Sequence, residues 1–121
     1  MDINKSRLYY EQLSDADLCG CAYCKNYIHE IKGTYPKLAE YLHSLGVDIE
    51  KPFETMPLEP DENGDIEYSI VQYLVCGNAD DFVDKVIDEV NIDISKLHPS
   101  SKLVEEHFVI DVYPIKLKWI V

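Results

Sequence analysis

The hydrophobic spacing of this chain changes period once. Between residues 21 and 45 apolar side chains recur three and four apart, and from Ile66 onward they alternate. A helical period followed by strands joined through short turns is the pattern of an α+β fold rather than of alternating α/β units. The expectation is two N-terminal helices packed on one face of a mainly antiparallel sheet of about four strands. A chain of 121 residues can bury one independent core, so a single domain over 1–121 is expected.

The helical half is punctuated by recognisable signals. Asp15-Ala16-Asp17 places carboxylates where a helix dipole favours them. Cys21, Cys24, Ile28 and Ile31 then share one helix face, and Gly33 is expected to end that helix. Thr34 is the expected cap of a second helix, with Pro36 in its first turn. Leu38, Tyr41, Leu42 and Leu45 form its stripe, and Gly46 its C-terminal stop. Residues 7–13 read as a short strand.

In the second half, Pro52, Pro57 and Pro60 restrict their stretch to loop or edge strand. Asp61-Glu62-Asn63-Gly64 is a hairpin turn. Ile66, Tyr68, Ile70, Gln72, Leu74 and Cys76 then share one strand face. The opposite face turns from polar (Glu67, Ser69) to apolar (Val71, Tyr73, Val75). Residues 79–95 fit both periods; a strand over roughly 86–95 is preferred, with 79–85 open. After the turn at His98-Pro99-Ser100-Ser101, Phe108, Ile110 and Val112 point inward, then Ile115, Leu117, Trp119 and Val121. The inward parity switches from even to odd across Pro114, which demands a bulge or break there. The apolar end must be buried in this molecule or against another.

Composition narrows the function classes. The net charge is −12, the isoelectric point is near 4.5, and one of the eleven basic residues is Arg. A nucleic-acid partner or an anionic membrane surface is therefore not expected. Residues 48–93 hold fourteen Asp/Glu against two Lys, and the rest of the chain is balanced. A solvated face that maintains solubility accounts for this; docking of a basic partner or a cation is the functional alternative. The N-terminal residues carry no apolar signal core, and no apolar run is long enough to span a bilayer. A cytoplasmic location is expected, with the four cysteines as thiols or metal ligands rather than structural disulfides.

Cys19-Gly20-Cys21-Ala22-Tyr23-Cys24 concentrates the chemistry. Thiolates near a helix start are stabilised by amide dipoles, which suits redox exchange. They equally suit Zn²⁺, Cu⁺ or an iron–sulfur cluster. A second ligand pair is missing, so a fourth ligand would come singly, from His29 or Cys76. At about 100° per residue Cys24 and His29 point about 140° apart on one helix, and Cys76 could arrive only through tertiary approach. The competing reading is structural: Cys21 and Cys24 lie on the Ile28/Ile31 stripe and Cys76 on the Leu74 face, and free Cys commonly packs as a small hydrophobe. That reading places the sulfurs at 21 and 24 in the interior.

Other motifs are weaker. Asp61 to Glu67 has calcium-loop composition, but Gly64 stands fourth and Gln72 twelfth, so a turn is expected. His29, His43, His98 and His107 show no metal or triad spacing, and no phosphate-binding glycine loop or nucleophile elbow is present.

Several stretches carry a resemblance together: Cys21-Ala22-Tyr23-Cys24-Lys25-Asn26-Tyr27, Tyr35-Pro36, Tyr41 through Glu54 with its Leu45-Gly46-Val47-Asp48-Ile49-Glu50-Lys51-Pro52 core, His98-Pro99-Ser100, and Glu105-Glu106-His107-Phe108. Over residues from about 18 to the end the chain resembles a family of small, uncharacterised, single-domain bacterial proteins. The resemblance implies a free-standing bacterial protein with the C-x-x-C-x-N-Tyr run as a family feature, and it implies no catalytic role.

The leading expectation is a non-enzymatic acidic domain that binds a protein partner or its own copy. The alternative is a zinc-type metal site or thiol-redox centre built from Cys19, Cys21 and Cys24, with Cys76 or His29 as fourth ligand. An enzyme with a carboxylate site in 48–93 is a third.

Overall fold

The computed structural model describes residues 1–120, so the expected burial of Val121 lies outside the described residues. Among them are three α-helices: α1 (Ile3–Gln12), α2 (Ala22–Thr34) and α3 (Pro36–Ser44). Six strands follow: β1 (Glu54–Pro57), β2 (Asp65–Cys76), β3 (Lys85–Ile87), β4 (Val90–Ile94), β5 (His107–Tyr113) and β6 (Ile115–Lys118). They form one antiparallel sheet in the order β1-β2-β5-β4-β3, with β6 running on from β5 along the first part of β2. The α+β expectation holds, with three helices in place of two and six strands in place of four. Among the described residues no helix is long and apolar enough to cross a membrane.

The extra helix replaces the short strand expected at 7–13. Asp2 caps α1 by accepting from the Lys5 N–H at 3.0 Å. The helix buries Ser6 and Tyr10 while Arg7 and Leu8 face solvent. Its inward residues are partly polar because it covers a sheet edge. The Cys76 N–H donates to Ser6 Oγ at 2.8 Å, Tyr10 OH donates to the Leu74 carbonyl at 2.6 Å, and the Asp2 N–H donates to the Cys76 carbonyl at 2.9 Å. Beyond the last pairing of β1, α1 thus satisfies backbone groups that an open edge would expose.

α2 presents Cys24, Tyr27 and Ile31 to the core, and α3 presents Leu38 and Leu42. Each fully buried Leu or Ile stabilises by about 1.5–3 kcal/mol relative to its exposed state. Gly33 does not stop α2, which runs to Thr34; the Thr34 hydroxyl donates back to the Glu30 carbonyl instead of capping α3. Tyr35 is the joint between the helices, with Pro36 opening α3. Gly46 ends α3 as expected, at φ +81°, with its N–H on the His43 carbonyl and the Val47 N–H on that of Leu42.

Two features of the sheet correct the sequence reading. The strand expected at 86–95 is a hairpin: β3 and β4 are joined by Asp88 and Glu89, both at positive φ (49° and 68°). A two-residue loop with both φ positive matches the strand twist, and Asp88 suits its first position, yet Glu89 stands where Gly is usual, so the turn was hidden. In addition, β2 does not keep one face throughout. Ile66 and Tyr68 join the core with Val71, Tyr73 and Val75, whereas Gln72, Leu74 and Cys76 lie on the opposite face. The register between β1 and β2 slips by one between Met56↔Ile70 and Pro57↔Tyr68, leaving Ser69 as an extra residue. The expected break at Pro114 is present; it separates β5 from β6 and keeps Phe108, Ile110, Val112, Ile115 and Leu117 all in the core. The two parity changes face each other across the β2–β5/β6 ladder. Trp119 is partly buried, packed against the core and Tyr23.

Candidate metal centre

The cysteine-rich segment bridges α1 and α2. A short 3-10 turn at Asp15–Asp17 is pinned by the Ser14 N–H donating to Asp17 Oδ2 at 2.9 Å. The chain then runs irregularly through Leu18, Cys19 and Gly20, and Cys21 is the N-cap residue of α2. Cys24 falls in the first turn, where the helical repeat brings its sulfur back over the N-terminus.

The three sulfurs converge: Cys19, Cys21 and Cys24 Sγ all lie within 4.8 Å of one another. Cys19 and Cys21 Sγ are 3.2 Å apart. A tetrahedral zinc with Zn–S bonds of about 2.3 Å has sulfurs about 3.8 Å apart, so the group needs shifts of no more than about 1 Å to close on an ion. Cys24 Sγ also lies 3.5 Å from Thr55 Oγ1 on β1, which fixes its direction.

Exposure divides the three. Cys24 is buried, as the core reading expected, but Cys21 is exposed, as is Cys19. The stripe on α2 is in fact Cys24, Tyr27 and Ile31, with Ile28 half-buried. Cys21 fails to join because, as the cap, it precedes the helical geometry that would turn it inward. The same position lowers its thiol pKa. The Cys24 backbone N–H is the main cause and the Cys19 thiol adds to it, although no capping hydrogen bond of ordinary geometry forms. Burial, opposed by the Thr55 hydroxyl, pushes Cys24 up to about 12.

The other two candidate ligands are elsewhere. His29 is exposed, with Nδ1 2.9 Å from Glu30 Oε2. Cys76 is buried at the far end of β2 under α1, beside a cavity of about 400 Å³ that it shares with Lys5, Tyr9 and Lys102. Its thiol is raised, chiefly by burial. Among the described residues the convergent donor group is Cys19, Cys21 and Cys24 alone.

Against the Cys19 and Cys24 thiols lies a small cavity of about 50 Å³ lined also by Asp17, Phe53, Glu54 and Thr55. Its carboxylates bias the local field toward a cation. The contribution of Thr55 had no sequence signal, because it depends on a four-residue edge strand meeting α2. Three thiolates can hold a soft ion and leave a coordination position for water or a further donor.

Comparison with protein-family models, curated proteins and solved structures finds no match for this chain.

Proposed function

We propose that this protein binds a thiophilic metal ion of the zinc type through Cys19, Cys21 and Cys24, with the fourth position taken by water or an outside donor. The observation that carries the reading is the convergence of three sulfurs from a loop, a helix cap and a first helical turn. The core-packing explanation covers Cys24 and Cys76 but leaves Cys19 and Cys21 exposed together without a structural task. This shifts the weight from partner binding, whose main support is the acidic middle of the chain. The thiol chemistry fits a reducing, cytoplasmic setting.

Elemental analysis of protein purified under reducing conditions, followed by zinc titration against a chromogenic chelator, tests it. The expected result is about one equivalent of zinc per chain, held more tightly than by the chelator. A reduced protein that loses zinc to the chelator at every ratio overturns the reading.

A further inference from the structure

Cys19 and Cys21 have two features that a metal site alone does not need: both are exposed, and their sulfurs are already 3.2 Å apart. A disulfide requires about 2.05 Å between sulfurs and a Cα separation within about 7 Å, which residues two apart along a chain satisfy. The intervening residue is Gly20, where an added Cβ would meet nothing within 4 Å. The whole Cys19–Cys21 segment lies outside regular structure, before α2 begins. The Cys21 carbonyl accepts the first α2 hydrogen bond, from the Lys25 N–H at 3.0 Å, and a bond between the two sulfurs involves neither of those atoms. Cys24, by contrast, is buried, is held by Thr55 and belongs to the helix itself.

We infer that Cys19 and Cys21 are a redox-modification site: a low-molecular-weight disulfide of the glutathione class oxidises them to a disulfide, which removes two of the three metal ligands and releases the ion. This rests on the metal-binding reading for its consequence, though not for the disulfide. Either exposed thiolate attacks a sulfur of the oxidant, forming a mixed disulfide and expelling one glutathione thiolate. The neighbouring thiolate then attacks the protein-side sulfur of the mixed disulfide, forming the Cys19–Cys21 bond and expelling the second. The protein loses two electrons, the glutathione disulfide gains them, and each departing thiolate takes up a proton; a bound zinc leaves as Zn²⁺. A disulfide closing so short a loop gains little from chain entropy, and an exposed, strained one is readily reduced. That makes the bond reversible rather than a structural staple.

The experiment incubates the reduced, zinc-loaded protein and the reduced apoprotein with oxidised glutathione, then maps the tryptic peptide 8–25, which carries all three thiols, by tandem mass spectrometry. The expected result is loss of two hydrogens within that peptide in both forms, release of about one zinc per chain, and reversal by dithiothreitol. Cys24→Ser should retain the two-hydrogen loss and Cys19→Ser should abolish it. Stable glutathione adducts at 19 or 21, a bond to Cys24, or zinc retained after the bond forms would each overturn the inference. If the reduced protein never binds zinc, the functional proposal fails, while the apoprotein arm still reads the disulfide by itself.

Discussion

Tyr73 and Tyr27 meet hydroxyl to hydroxyl in the fully buried core, and the direction of the pair is fixed from one end. Tyr73 donates its only proton to the Ile49 carbonyl at 2.6 Å, so Tyr27 must donate to Tyr73. The chain of donors ties α2 to β2 and to the segment that follows α3.

The two tyrosines are therefore not equivalent. Tyr73→Phe strands both the Tyr27 hydroxyl and the Ile49 carbonyl, and should cost about 1–3 kcal/mol. Tyr27→Phe leaves Tyr73 with its own acceptor satisfied, and should cost about 0.5–1.5 kcal/mol. Urea denaturation of both variants checks the order; equal losses would contradict the assigned direction.

The same burial sets an alkaline limit on stability. Tyr10, Tyr27 and Tyr73 are all raised above their ordinary range, burial being the first cause, and Tyr68 is pushed up to about 12. Unfolded tyrosines ionise near pH 10 while the folded ones stay protonated, so the unfolded state binds fewer protons and stability falls as pH rises past about 10. Far-UV circular dichroism against pH, followed together with phenolate absorbance, should show these tyrosines ionising with unfolding rather than before it.

Thiol accessibility should split the cysteines two and two. Cys19 and Cys21 are exposed, whereas Cys24 and Cys76 are buried and raised. With a chromogenic disulfide reagent, two thiols should react quickly and two only after denaturant is added. Prior addition of zinc should protect the fast pair.

Ligand substitutions should separate the convergent thiols from the distant candidates. Cys19→Ser, Cys21→Ser and Cys24→Ser should each weaken zinc binding by roughly two orders of magnitude, while Cys76→Ala and His29→Ala leave it unchanged. Thr55→Val, which removes the hydroxyl that orients Cys24, should weaken it by about 10–100-fold. Competition against a chelator of known affinity gives all six values.

Two glycines should respond in opposite senses to alanine. At Gly46 a Cβ would stand 2.4 Å from the Ile3 carbonyl oxygen, and φ is +81°. Gly46→Ala should destabilise by about 2 kcal/mol or more, because α1 cannot approach α3 as closely. Gly33 lies within α2 with open space around it, so Gly33→Ala should stabilise by about 0.5–1 kcal/mol. Thermal melts of the two variants should move in opposite directions.

Local periodicity and punctuation determined a good deal. The apolar spacing placed α2, α3 and β2, Gly46 set the end of α3, and the parity change across Pro114 required the break between β5 and β6. These are short-range consequences of side-chain direction in helices and strands, so they can be read from neighbours in the chain. Tertiary structure decided what depended on distant partners. Ser6 and Tyr10 form a helix because β2 offers them backbone groups at Leu74 and Cys76. The slip at Ser69 exists only against β1, and it moved Gln72, Leu74 and Cys76 away from the main core. The spacing of Cys19, Cys21 and Cys24 named the thiols, but whether their sulfurs sank separately into the core or met at one point depended on where α2 began. It begins one residue after Cys21, leaving that side chain outside the helix and beside its two neighbours.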